Sequence, residues 1–183
     1  MEAAMAELPV LVPEKAMVFI DAMNVYESLR ALGADTRLDY YKLAIRLAGP
    51  QRRMIRAHVY TGAYDQMREP ELYAQQMKFF NKVQRMPFVT LKTRPLLQRA
   101  GTYLQKGVDT LIATDMVSMA FLGHYDVAIL VSGDGDLAPA ADAVKAAGKQ
   151  IIVATFVRSR STAIAQSADQ ELVIDQDFLK DCY

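Results

Sequence analysis

The sequence has one cysteine, Cys182, and two histidines, His58 and His124, in 183 residues. A single cysteine beside the carboxyl terminus excludes an intramolecular disulfide and points to a reduced, cytoplasmic compartment. These three residues are too few to build a Cys/His zinc site, and they offer no histidine or cysteine pair for covalent catalysis. No apolar run approaches the ~20 residues of a membrane-spanning helix. The first residues carry Glu2 and Glu7 without a basic cluster, so no signal peptide is expected. Net charge is also lacking: 21 Lys and Arg balance 21 Asp and Glu. That balance argues against a general nucleic-acid coat.

One further absence is local. Between Leu72 and Val108 there is no Asp or Glu, while Lys78, Lys82, Arg85, Lys92, Arg94, Arg99 and Lys106 fall there. Acids return at once as Asp109, Asp115, Asp126, Asp134, Asp136 and Asp142. A basic block beside an acidic cluster suits a phosphodiester substrate, whose backbone the cations hold while the carboxylates hold metal. Lys92, Arg94, Arg99 and Lys106 are the expected contacts to that backbone. A solvated face of uneven charge is the plainer alternative.

What is present is organised around Asp126 to Thr155. Val127 to Val131 is a continuous apolar run, as in a parallel strand covered on both faces. SGDGD follows, then an Ala-rich helix from Leu137 to Ala147 and a second buried strand from Ile151 to Ala154. This is a βαβ unit, and it puts Asp134 and Asp136 at the carboxyl end of a strand, where open α/β sheets place ligands. Two carboxylates this close repel by roughly 4 kcal/mol at ~4 Å and an effective dielectric of ~20 unless a cation intervenes.

Elsewhere, residues 1–15 read as a leader and residues 16–183 as a single domain, the size at which a chain buries roughly 70% of its surface. Ala16 to Ile20 is a buried strand ending in Asp21, after which Asn24 is placed as the cap of a helix reaching Leu32. A second helix runs from Tyr40 to Leu47 behind Asp39. Met54 to Tyr60 is a strand, with His58 inside it as a structural residue. Pro70 to Met86 is helical and Phe88 to Leu91 a short strand. Lys92 to Gly107 reads as irregular, with a turn near Arg99 to Thr102. Gly107 to Leu122 is a helix, Ser161 to Ser167 another, and Leu172 to Ile174 an edge strand.

A doubly wound sheet gathers Asp21, Asp109, Asp134 and Asp136 at one edge. Oxygen donors without thiolate or imidazole suit Mg²⁺ or Mn²⁺. Each acid also has a plainer use: Asp136 as a helix cap, Asp109 as a first-turn charge, Asp134 as a turn residue and Asp21 as a loop residue. Asp115 falls on the apolar arc of its helix, ~9 Å along the axis from Asp109 at ~1.5 Å per residue. It is therefore expected to orient the site from behind or to bond backbone near the first strand, not to share the same ion.

The segments FIDAMN (Phe19 to Asn24), KGVDTLIATDM (Lys106 to Met116), LVSGDGDL (Leu130 to Leu137) and STAIAQSADQELVI (Ser161 to Ile174) resemble the NYN domain family, PIN-like nuclease relatives that include the LabA/DUF88 group. The resemblance implies an α/β, PIN-like three-layer fold, a central mainly parallel sheet flanked by helices. It also implies metal-dependent RNA cleavage, with metal roles for Asp21, Asp109 and Asp134 and supporting roles for Asn24, Ser132, Asp115 and Asp136. Ala22 stands where the family often has Gly, which removes no ligand. The expected partners are single-stranded RNA and a divalent ion, without a membrane, and a homodimer is left open. Two alternatives stay in view. One is a non-catalytic RNA-binding protein on the same fold. The other is a dinucleotide site, since Gly133, Gly135 and Ala138 fit G-x-G-x-x-A with Arg158 near the next strand.

Overall fold

The computed structural model describes residues 12–99 and 102–183. The segment read as a leader lies outside the described residues up to residue 11, and the first strand begins within its last part, at Glu14. Seven strands form one sheet: β1 (Glu14–Asp21), β2 (Arg52–Ala63), β3 (Val89–Arg99), β4 (Thr102–Gln105), β5 (Val127–Val131), β6 (Gln150–Phe156) and β7 (Gln170–Ile174). Their order is β4-β3-β2-β1-β5-β6-β7. Every pairing is parallel except β3 with β4.

The helices are α1 (Ala22–Leu32), α2 (Tyr40–Ala48), α3 (Pro70–Gln84), α4 (Val108–Phe121), α5 (Ala138–Ala146), α6 (Thr162–Ser167) and α7 (Gln176–Leu179). Alternation along β1 divides them into two layers. Ala16, Val18 and Ile20 face a core with Val25 and Leu29 of α1, Leu43 and Leu47 of α2 and Val83 of α3. Met17 and Phe19 face a second core with Ile112 and Met116 of α4, Ala141 and Val144 of α5 and Ile164 of α6. The central strand β5 is buried along its whole length, because both layers cover it. The result is a three-layer α/β fold with a mainly parallel sheet, the architecture that the resemblance implied.

Topology fixes where ligands go. From β1 the chain adds β2 and β3 on one side, and from β5 it adds β6 and β7 on the other. The order reverses between β1 and β5, and the crevice outside the carboxyl ends of these two strands is the switch point where such sheets bind ligands. Asp21 closes β1 and Asp134 follows β5.

Several local expectations change. β3 is eleven residues long, and the basic stretch read as irregular is the rest of that strand followed by β4. Pairing of Leu96 to Arg99 with Thr102 to Gln105 confirms the hairpin, whose turn at residues 100 and 101 lies outside the described residues. Its exposed, charged side hid the period-2 alternation, and Pro95 is tolerated because it stands opposite Ala63, where the ladder with β2 ends. The helix read from Leu137 instead opens as a 3₁₀ turn (Gly135–Leu137) and continues as α5, with Pro139 in its first turn. The short α7, capped by Asp175, has too few residues to show a helical period. Among the described residues, no helix is long and apolar enough to cross a membrane.

Candidate active site

Asp21 is the last residue of β1 and the N-cap of α1. Its carboxylate accepts the N–H groups of Met23 at 3.0 Å and Asn24 at 3.1 Å. The expected cap, Asn24, is already inside the helix. An acid cap satisfies N–H groups the helix leaves open and meets the positive end of its dipole. The side chain is nonetheless buried, at 6% exposure. Burial pushes its pKa up to about 6, the charges of Asp109 and Asp134 add to the rise, and the two N–H bonds oppose it.

Asp134 does for the β5 side what Asp21 does for β1. Sequence reasoning gave it no capping duty, yet its carboxylate accepts the Asp136 N–H at 2.9 Å and caps the 3₁₀ turn. Its own N–H donates to Ser132 Oγ at 3.2 Å, and Ser132 is buried. The turn is also held from outside. Asn24 Oδ1 accepts the Gly133 N–H at 3.2 Å, tying α1 to the β5 loop across 109 residues of sequence. Behind it, a Cβ on Gly133 would lie 1.6 Å from the Ser159 carbonyl oxygen, so the turn admits no side chain there.

Asp109 comes from the first turn of α4, which starts behind the left-handed Gly107 (φ 80°). Burial raises its pKa first, and then the negative charges of Asp134 and Asp136 raise it further. The four acids thus bear on one another electrostatically, although they enter from β1, α4 and the loop after β5.

Asp115 serves a different network. It accepts Tyr60 Oη–H at 2.8 Å and Lys92 Nζ at 2.5 Å, so its partners are side chains of β2 and β3, not backbone near β1. The register places Asp21 opposite Tyr60 and Tyr60 opposite Lys92, one row across three strands. Asp115 closes that row from α4. Tyr60 is a member that sequence reasoning missed: its place beside Asp21 depends on the β1–β2 register, which no spacing within either strand encodes. Its phenol is held well above the usual range by burial and by Asp115.

The four expected RNA contacts are not equivalent. Lys92 is ion-paired and only about a quarter exposed, at 26%. Arg94 on β3 and Lys106 before α4 are exposed. Arg99 ends β3, and its side chain is outside the described residues. His58 is buried against Phe19, with ring centroids 5.8 Å apart and neither ring nitrogen hydrogen-bonded, in keeping with a structural role. The dinucleotide alternative loses its footing at Gly133: the space its missing Cβ leaves is taken by Ser159 backbone. Arg158 donates to the Ala31 carbonyl oxygen at 3.4 Å.

The donor set fits a hard divalent cation. It offers only carboxylate, amide and hydroxyl oxygens, and after burial the negative charges of neighbouring acids raise the pKa of Asp21 and of Asp109. Among the described residues, however, no three His, Cys, Asp or Glu side chains converge closely enough to hold one ion. Asp21 and Asp134 each spend an oxygen on a helix start instead, so an ion would draw the acids closer than they stand.

The NYN domain family model matches residues 15–175. The chain belongs to the NYN domain family. This is a family of PIN-like nucleases that generally use divalent metal ions, which places the NYN domain described here among nucleases at family level. A solved structure of a protein of unknown function from Vibrio parahaemolyticus is similar, with 26% identity and a TM-score of 0.74 over 94% of this chain and 99% of that one. A search of the curated proteins gave no match. The NYN model takes in Asp21, Asn24, Asp109, Asp115, Ser132, Asp134 and Asp136, the residues singled out from the sequence.

Proposed function

We propose that this NYN domain is a metal-dependent ribonuclease that hydrolyses phosphodiester bonds of single-stranded RNA, using Mg²⁺ or Mn²⁺. The observation that carries the reading is the buried Asp21 carboxyl at the β1–β5 switch point, pushed up to about 6 by burial and by Asp109 and Asp134. A dication would offset the repulsion between these acids.

Asp21, Asp109 and Asp134 are the residues that would hold the ion. Such an ion supplies Lewis-acid charge at the scissile phosphate and lowers the pKa of the attacking water. Asn24 and Ser132 keep the Asp134 turn in place through its Gly133 and Asp134 N–H groups. Asp136 adds negative charge at the mouth, where it orients water. Asp115 and Tyr60 hold Lys92 beside the row that ends in Asp21, and Arg94 and Lys106 meet the phosphate backbone. Cys182 and His58 are both buried and take no part.

The convergence gap among the acids favours one competitor, an RNA-binding protein that does not cleave. Labelled single-stranded RNA incubated with Mn²⁺, Mg²⁺ or EDTA decides between the two. The nuclease reading expects metal-dependent products with 5′-phosphate and 3′-hydroxyl ends, because water attacks and the 2′-hydroxyl is spared. A 2′,3′-cyclic phosphate, full activity in EDTA, or binding without turnover at any metal concentration would reject it.

A further inference from the structure

Two cations of the acid-free stretch, Lys78 and Lys82, stand on α3, which packs against β3 in the layer opposite α4, where Lys92 meets Asp115. They rim a groove of about 610 Å³ between α1 and α3, within the roughly 300–1,000 Å³ of small-molecule sites. The groove starts at Ala22 and Met23, the two residues that follow Asp21. The Met23 N–H is one of the two bonded to the Asp21 carboxylate. One end of the groove therefore borders Asp21.

Its chemistry is that of a strand of nucleotides. Tyr26, Tyr64 and Phe79 give it aromatic surface, and no Asp or Glu lines it. Arg37 also lines it, but Asp35 neutralises that guanidinium at 2.7 Å, so the surplus positive charge rests on Lys78 and Lys82. Tyr26 is open, at 44% exposure. The far wall is fixed in advance. Gln76 donates to the Gly62 carbonyl oxygen at 2.8 Å and accepts the Tyr64 N–H at 3.0 Å, which locks α3 to the end of β2. Tyr103 braces Tyr64 edge-on at 5.1 Å. A wall already ordered loses little entropy when a ligand stacks on it. An apolar peptide would leave the lysines without a counter-charge, and an acidic one would leave the aromatic faces unused. Planar bases joined by phosphates use both.

We infer that this groove is a base-binding subsite for single-stranded RNA, holding a nucleotide next to the one cleaved. A paired base cannot splay into it, so the subsite selects single strands over duplex. The inference rests on the nuclease reading for its place beside the scissile bond, but binding can be measured without cleavage.

The test uses Asp134→Asn protein, so that the strand stays intact, and single-stranded RNA carrying 4-thiouridine. Photo-crosslinks are expected on peptides containing Met23 and Tyr26, Tyr64 or Phe79. Tyr26→Ala and Lys78→Glu, both at exposed positions, should each weaken single-strand binding at least about 5-fold, with duplex binding unchanged. Crosslinks confined to the β6–α6 loop, or parental affinity in both variants, would overturn the subsite. If RNA is cleaved in an Asp134-dependent way while both variants bind normally, the subsite falls and the nuclease reading stands. If no RNA is cleaved but the crosslinks and both losses appear, the nuclease reading falls and the subsite stands.

Discussion

Asp21 must be charged to hold a cation, and burial makes that charge costly. In the folded protein its pKa is raised from 3.8 to about 6, so the folded state holds the proton more tightly than the unfolded chain. The cost of ionising it is absent below about pH 4, grows as pH rises toward 6, and is complete at pH 7, at roughly 3 kcal/mol for about two units. Asp21→Asn keeps an oxygen to accept the Met23 and Asn24 N–H groups and sheds the charge. In EDTA at pH 7, urea unfolding should therefore show the variant more stable than wild type by about 1–3 kcal/mol, with the gap closing near pH 4. Equal stability at pH 7 would remove the strain from the account. His58 offers a second check on buried polarity. Burial holds its pKa down at about 4, and both ring nitrogens lack partners. His58→Phe should raise the melting temperature, since an unpaired buried polar group costs about 1–3 kcal/mol; a fall would mean that hidden partners satisfy the ring. At this scale the sequence pointed to the acids themselves, because carboxylates after apolar strands stand out. Their double use as caps was not legible. Whether Asp21 or Asn24 caps α1 depends on backbone angles at the strand end, and both residue types are good caps.

Between elements, the joint that matters is the one linking α1, the β5 loop and the β6–α6 loop. Gly133→Ala pushes a methyl into the Ser159 carbonyl group, which is backbone and not the flexible tip of a side chain. It should destabilise the protein by at least about 2 kcal/mol and should also slow cleavage, because Asp134 shares the turn. Chemical denaturation and rate measured on the same preparation check it, and an unchanged rate would mean the turn tolerates displacement. Lys92→Met makes the complementary case. It leaves the Asp115 carboxylate, 15% exposed, facing only the Tyr60 hydroxyl. Losing one partner of a fully buried pair costs about 3–5 kcal/mol; this one is partly wet, so about 1–3 kcal/mol is expected, read by urea unfolding. Strands β1, β5 and β6 were legible because both faces are covered and their apolar runs are unbroken. β3 was not, since past Lys92 most of its residues are exposed and a basic, solvent-facing strand reads like a loop. Asp115 was recognised as a carboxylate on an apolar arc, but its partners lay on strands whose register the sequence does not declare.

For the molecule as a whole, the neutral net charge hides a polar arrangement: acids at the switch point, cations on the β3 side and on α3. Arg94 and Lys106 are exposed and, among the described residues, have no ion-pair partner, whereas Lys92 is already matched by Asp115. The Arg94→Ala, Lys106→Ala double variant should flatten the salt dependence of single-stranded RNA binding by about 1.4 in slope, at ~0.7 per contact. Lys92→Ala alone should change it little. A slope untouched by the double variant would move the phosphate path elsewhere. The overall architecture was legible from the order of buried strands and from the family motifs, and so was the sheet edge where β1 ends in Asp21 and β5 leads to Asp134. The groove between α1 and α3 was not, because Met23 and Tyr26 come from one end of the fold's sequence and Lys78 and Phe79 from its middle. Asp21, Asp109 and Asp134 are proposed to share one divalent ion. The most direct measurement is the rise in melting temperature on adding Mn²⁺, compared between wild type and Asp134→Asn. An ion that binds only the folded state adds ~2.7 kcal/mol at one hundred times its dissociation constant. For a domain of this size that is roughly 5–11 °C. The account predicts a shift of that order in wild type and a much smaller one in Asp134→Asn; equal shifts in the two proteins would contradict it.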